Sequence, residues 1–377
     1  MKWTRTAASQ LAQDPQLQAD WDRLNQQRGD LPFMGSAATL AALDVFGQGA
    51  EQLLIGRDAQ GKAQAMLLLE PAGSLRWQTF QPSQQPLGAW VAEASLTPDA
   101  LAQDLLGSGR LGFALSLSLT QLDPLFAPRA EDEARSRHDG YIDTAWVDIA
   151  GSFDDYWAAR GKNLRQNMKK QRNKLQAEGI AVEMRSFEAE ADMVGVIQRY
   201  GEMEGRSWKA QSGTAITPDN AQGRFYTRLL SEAAARGEAV VYELLFDGKT
   251  VASNLCLRRG TTLVMLKTTY DEALQSYSAA FLLHQDIVQQ LLEQQRIQRL
   301  EYYGKVMEWH TRWTDNKREL YHLTSFRWGW LKALAARRAK AAAAAAAAAE
   351  ATKEAAKEAA SAPVASTAAP AAETSAP

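Results

Sequence analysis

From Gly179 onward the spacing of apolar residues changes in a definite order. Ile180, Val182 and Met184 alternate with polar neighbours, which predicts a strand over Gly179–Phe187. Met193, Val196, Ile197, Tyr200 and Met203 then recur at three and four residues, the period of a helix with one buried face, over Ala189–Trp208. Thr217-Pro218 has the form of a helix start, a capping hydroxyl before a proline that needs no N–H donor, and Gly237 suits that helix's end. Three strands are predicted next: Ala239–Phe246, Thr250–Arg258 and Thr261–Thr269. Asp247-Gly248 and Arg259-Gly260 turn them back on one another as a meander. Ala279–Gln295 returns to the helical period, and Arg299–Tyr303 and Leu320–Phe326 are short strands.

The first half reads as a fainter copy. Glu51–Leu69 carries a strand, an Asp58–Gly61 turn and a second strand, with Lys62 after the glycine as Lys249 follows Gly248. Thr97-Pro98 again starts a helix, and Gly112–Leu119 is a later strand. This parallel suggests an internal duplication, although hairpins with Asp/Gly turns are common in unrelated proteins. Alanine takes over from Leu331, so a helix is expected to about Ala360, with Ser361–Pro377 a disordered tail. The expected organisation is residues 1–143, 144–330 and 331–377.

Composition narrows the class of protein. The 377 residues are 46 % hydrophobic and 23 % charged with a net charge of −2, a globular profile that argues against a DNA-binding domain. A single cysteine, Cys256, excludes an internal disulfide, and the start lacks an apolar signal segment, so the expected compartment is the cytoplasm. No apolar run predicts a transmembrane segment, since the alanine tract reads as a water-exposed helix. The four histidines do not pair at ligand spacing, so no metal is expected. One segment departs from the even charge balance. Arg160, Lys162, Arg165, Lys169, Lys170, Arg172 and Lys174 form a basic helix, residues 160–174, with no acid inside it. It reads as a solvated face or as a contact for an anionic partner: nucleotide-sugar, polyprenyl-phosphate, anionic lipid or tRNA.

Five short segments follow one another in the second half: Asn163-Leu164-Arg165, Arg206-Ser207-Trp208-Lys209, Leu266-Lys267-Thr268-Thr269-Tyr270-Asp271, Tyr277-Ser278, and Gly304 with Trp309-His310 and Trp313. The order of elements resembles the GNAT N-acyltransferase fold. The segments resemble the BioF2-like (CelD/BcsL) acetyltransferase family, related to FemAB-type peptidoglycan aminoacyltransferases that also pair two GNAT-like halves. The resemblance runs from about Phe33 to Trp330 and is strongest over Phe153–Trp313. It implies an α/β (α+β) fold of tandem GNAT-like halves, with mixed, mostly antiparallel sheets flanked by helices. It also implies acyl-CoA (acetyl-CoA) as co-substrate, and an amine acceptor on an amino-sugar or lipid-linked cell-envelope or exopolysaccharide precursor. Two positions depart from the family: Ala279-Ala280 stand where Pro-Gly is common, and Trp309-His310 where Tyr-Lys is common.

Acyl transfer from a thioester to an amine needs a phosphate cradle, a slot for the thioester arm and a route for a proton. Tyr277, Ser278, Ala279, Ala280 and Phe281 open a helix whose unpaired N–H groups suit a pyrophosphate, or simply form an ordinary capped start. By resemblance, the strand ending at Lys267–Asp271 splays from its neighbour and binds the pantetheine arm. Tyr270 then suits the leaving thiolate, and Asp271 the amine or its proton. His310 and Glu243 are rival bases, His310 because imidazole titrates near neutrality. Arg206, Trp208 and Lys209, with Arg165 and Lys169 of the basic run, suit an acidic or sugar acceptor. Two other readings remain open: an aminoacyl-tRNA-dependent transferase of the FemAB kind, and a binding module that has lost activity.

Overall fold

A computed structural model describes residues 1–206, 215–217 and 219–361. Met1–Arg327 forms one unit and a second begins at Trp328. In the first unit the strands are β1 (Lys2–Ala7), β2 (Gln52–Arg57), β3 (Ala63–Pro71), β4 (Arg76–Thr79), β5 (Trp90–Ala92), β6 (Ser116–Leu122), β7 (Ser136–Asp148), β8 (Val182–Phe187), β9 (Ala239–Phe246), β10 (Lys249–Arg259), β11 (Thr262–Tyr270), β12 (Arg299–Glu301) and β13 (Lys317–Phe326). The helices are α1 (Gln10–Gln13), α2 (Pro15–Gln26), α3 (Ser36–Phe46), α4 (Pro98–Gly107), α5 (Phe153–Ala158), α6 (Lys162–Ala177), α7 (Met193–Glu204), α8 (Ala221–Ala235), α9 (Ala279–Gln294) and α10 (Glu308–Thr311). In the second unit, α11 (Gly329–Ser361) takes up the alanine tract. Among the described residues, no helix is long and apolar enough to cross a membrane.

The strands join in one 13-stranded sheet, in the order β1-β2-β3-β4-β6-β13-β7-β12-β11-β10-β9-β8, with β5 beside β3. The order has a centre of symmetry between β13 and β7. From one edge a three-stranded antiparallel run leads to β4, which pairs in parallel with β6; from the other, a like run leads to β11, which pairs in parallel with β12. Each parallel pair is bridged along the chain by a helix, α4 or α9. The two central strands are exchanged. The late strand β13 borders β6, and the earlier β7 borders β12. β7 therefore crosses the expected boundary at residue 143.

On β7, Gly140 leaves room for the Glu319 side chain of β13. A Cβ on Gly140 would lie 2.3 Å from a Glu319 carboxylate oxygen. Arg318 on β13 ties the neighbouring strands together: it donates to both Asp123 oxygens at 2.8 and 2.7 Å and to Glu301 at 3.0 Å. Tyr303 adds a hydrogen bond to Asp123 at 2.9 Å. Both acids are buried, so removing the arginine would strand two charges out of water, a loss of about 3–5 kcal/mol.

One face of the sheet carries a core shared by both halves, Trp21, Leu24 and Phe33 meeting Met193, Tyr200, Phe225 and Leu230. On the other face Leu101 and Leu105 of α4 pack with Leu67, Leu117 and Leu119, and Leu164, Met168, Leu283 and Leu291 of α6 and α9 pack on Val240 and Leu244. Thr97 does cap α4, its hydroxyl accepting from Ala100 N–H. Thr217 does not cap α8. That helix begins at Ala221, because Asn220 accepts from Gly223 N–H at 2.8 Å while donating to Ala215 O. Pro218, Trp208 and the tail residues 362–377 lie outside the described residues.

Candidate active site

β11 and β12 pair only from Thr262↔Arg299 to Val264↔Glu301, and then part. Within β11 the register slips: Cys256 faces Met265 but Leu255 faces Lys267, leaving Leu266 as an extra residue. Beyond the slip, Thr268 stands opposite Asn254 on β10. A cavity of about 240 Å3 opens there, lined by Asn254, Thr268, Tyr270, Ala280, Phe281, His284, Trp309 and Trp313. The walls are thus the end of β11, the first turns of α9, and the aromatic segment at α10.

The helix α9 opens onto this cavity without a side-chain cap. Ser278 holds the N-cap position in the left-handed region, φ 53° and ψ 42°, and its side chain caps nothing. Its hydroxyl instead accepts from Asn167 at 3.4 Å. Ser278 O takes the N–H groups of Phe281 and Leu282; among the described residues those of Ala279 and Ala280 have no partner. The first turn holds no acid. The positive end of a 16-residue helix therefore lies at the cavity, with Ala280 on its wall, an arrangement suited to an anion.

Inside, Asn254 lines the cavity and is 4 % exposed. His284 is 3 % exposed and pairs through Nε2 with the Tyr302 hydroxyl at 2.9 Å. Burial, reinforced by His310, lowers its pKa to about 3. His310 stacks on Trp309 at 3.6 Å between centroids, and its Nδ1 accepts from Met307 N–H at 2.9 Å. Burial lowers its pKa to about 4. Both imidazoles are neutral at pH 7.

The other residues singled out in the sequence divide between this cavity and its surroundings. Tyr270, Ala280 and Phe281 line it, and Ala279 is buried beneath. Tyr277 turns towards α6, donating to Glu178 at 2.6 Å beneath the Lys174 ammonium, and the hydrogen bond raises its pKa. Asp271 caps the following turn through Ala273 N–H at 3.1 Å and faces Arg206 at 3.8 Å and Lys249 at 3.9 Å. Lys267 and Glu243 point to the opposite face of the sheet. Lys267 meets Gln222 at 3.1 Å and Glu204 at 3.7 Å, and Glu243 is held by Arg199 at 3.0 Å and Thr250 at 2.8 Å. Trp208 and Lys209 lie outside the described residues.

The basic run is partly spent on structure: Arg160 donates to Trp313 O, Arg172 to Asp286, and Lys174 covers Tyr277. Lys162, Arg165, Lys169 and Lys170 remain exposed. A groove of about 640 Å3 between α6 and α10 includes Arg160, Asn163, Asn167 and Arg312, and Arg312 also lies over the Phe281 ring at 5.5 Å. Among the described residues, no group of three His, Cys, Asp or Glu side chains forms a metal site.

Residues 162–311 match the acetyltransferase (GNAT) domain family. The match covers the elements from α6 to α10 that build the cavity and leaves out the exchanged strands. Among solved structures, a conserved protein of unknown function from Bacteroides thetaiotaomicron VPI-5482 superposes with a TM-score of 0.50 at 12 % identity, covering 84 % of this chain and 97 % of its own. The C-terminal DUF2156 domain of a lysylphosphatidylglycerol synthetase candidate from Agrobacterium fabrum reaches 0.51 at 14 % identity, covering 85 % and 96 %. A tandem GNAT protein from the clavulanic acid biosynthesis pathway reaches 0.45 at 12 % identity, covering 86 % and 98 %. These likenesses concern the fold. No curated protein matches the chain.

Proposed function

We propose that the chain is an N-acyltransferase that moves an acyl group from acyl-CoA to an amine at the β11–α9 cavity. The observation that carries this reading is the uncapped start of α9 at a cavity lined by Asn254, Thr268 and Tyr270. The N–H groups of Ala279 and Ala280 would hold the donor's pyrophosphate, and Asn254 would meet a polar atom of its arm. In the transfer, a C–N bond forms to the amine and the C–S bond breaks. Tyr270 would return a proton to the thiolate, and the amine proton would pass to Asp271 or water. Neutral His284 and His310 would pack the aromatic wall rather than carry charge.

The acceptor follows from the family resemblance: an amino-sugar or cell-envelope precursor, with Arg206 beside Asp271 as its contact, and the cytoplasm as the compartment. Residues 1–143 would be a non-catalytic GNAT-like half, residues 144–330 the catalytic one, and 331–377 an appendage. A second reading, an aminoacyl-tRNA donor, is favoured by the four exposed cations of α6. Calorimetric titration separates the two. Acetyl-CoA should bind the parent protein, and Lys169→Glu with Lys170→Glu should leave that binding within about twofold, because exposed charges contribute little. Tight tRNA binding that this pair abolishes, without acetyl-CoA binding, would replace the first reading with the second. Binding of neither would leave a module without transferase activity.

A further inference from the structure

The second unit opens with two tryptophans that water should not favour. Trp328 is 39 % exposed and Trp330 61 %, and their rings stack 5.9 Å apart at 9°. Leu334, one turn beyond Trp330 on α11, is 38 % exposed. Arg337 and Arg338 follow seven and eight residues after Trp330, so apolar and cationic groups share one side of the helix. From Trp328 to Ala349 the sequence holds Lys332, Arg337, Arg338 and Lys340 and no acid.

We propose that this segment, Trp328–Lys340, docks on an anionic phospholipid surface. Indole rings favour the boundary between headgroups and acyl chains, and arginines can lie along that boundary with their charges in the headgroup layer. Arg337 and Arg338 beside the apolar groups, with no acid in the segment, add attraction to anionic lipid within a Debye length. A second copy of the chain would cover the tryptophans but bring like charges together. RNA would take the charges but leave Leu334 in water. The lipid surface meets both needs. It lies along the helix rather than being spanned by it, consistent with alanine as the main component of α11.

The test is co-sedimentation of the full chain with phosphatidylcholine vesicles, with and without phosphatidylglycerol, at low and high salt. Binding should require phosphatidylglycerol and weaken with salt. Trp328→Ala with Trp330→Ala, and separately Arg337→Glu with Arg338→Glu, should each reduce it about tenfold or more. Unchanged melting of both variants would confirm that the fold is intact. Several outcomes overturn the proposal: no sedimentation with anionic vesicles, binding indifferent to both substitutions, homopolymer RNA binding in place of vesicle binding, or a tryptophan-dependent dimer without vesicle binding. Vesicle binding does not involve the donor cavity, so this result and the acetyl-CoA titration stand or fall separately.

Discussion

The two halves place a helix at the same point of the same topology and finish its first turn in opposite ways. In α4, Thr97 caps the N–H of Ala100, Pro98 removes a donor, and Asp99 supplies a negative charge in the first turn. His138 then bridges Asp99 at 3.2 Å and Asp132 at 3.3 Å, closing the end further. The corner behind it is filled by Trp90, Leu101, Leu105 and Leu117. In α9 the cap side chain bonds nothing in the helix, two N–H groups are bare, and no acid is present. One helix end supplies its own anion and the other leaves the place open. A free helix end forfeits capping stability of about 1 kcal/mol, which a site for a phosphate recovers only when occupied.

The sharpest way to break this contrast is to give α9 the acid that α4 has. Ala280→Asp should lower acetyl-CoA affinity about 100-fold, equivalent to about 2.7 kcal/mol. The fold should persist, because a carboxylate in a first turn is favourable. Undiminished titration heats from that variant would move the donor elsewhere.

A second difference lies in the histidines: His138 sits between carboxylates, whereas His284 sits among aromatic rings. Its folded pKa of about 3 is below the unfolded value, so the unfolded chain binds the proton first as pH falls. The stabilisation is present above about pH 6.5 and is progressively lost below it, by about 2 kcal/mol at pH 5. Urea denaturation at pH 7 and pH 5 should reveal this loss, and His284→Gln should reduce it by that amount. An equal loss in the variant would mean that other groups govern the acid response.

The smallest effects concern the caps. Thr97→Ala should cost about 1 kcal/mol of stability and leave acetyl-CoA binding alone. Ser278→Ala should cost less than about 0.5 kcal/mol, since its hydroxyl caps no helix N–H. Equal losses from the two substitutions in thermal melts would show that the ends are more alike than their geometry.

The meander and α9 were legible because their apolar periods and Asp-Gly turns are local signals. The wall of the candidate cavity was legible where it coincides with that frame, at Tyr270, Ala280 and Phe281. Asn254 was missed, although a polar pair, Ser253-Asn254, interrupts the apolar run from Val251 to Leu257. His284 was hidden on an amphipathic helix, and the placing of Trp309 and Trp313 on the cavity wall depends on a distant loop. β7 escaped notice for a physical reason. Its sequence, with Arg137, Asp139, Gly140 and Asp143, has no clean alternation, and it is held by neighbours on both sides rather than by its own apolar face. Lys267 faces away from the cavity because of the register slip beside it, which no local pattern encodes.

The exchange of β7 and β13 bears on how the chain is made. Ser118 and Thr324, hydrogen-bonded across the seam, are separated by 206 residues. A nascent chain leaving the ribosome presents β6 and β7 long before β13 emerges, so neither side of the sheet can be sealed in order of synthesis. Until then both strands offer open hydrogen-bonding edges, the kind that recruit other chains. Folding to the final state is thereby coupled to the last stretch of the first unit. A message truncated before Lys317 would yield not one good half and one missing half, but two halves each with an unprotected edge.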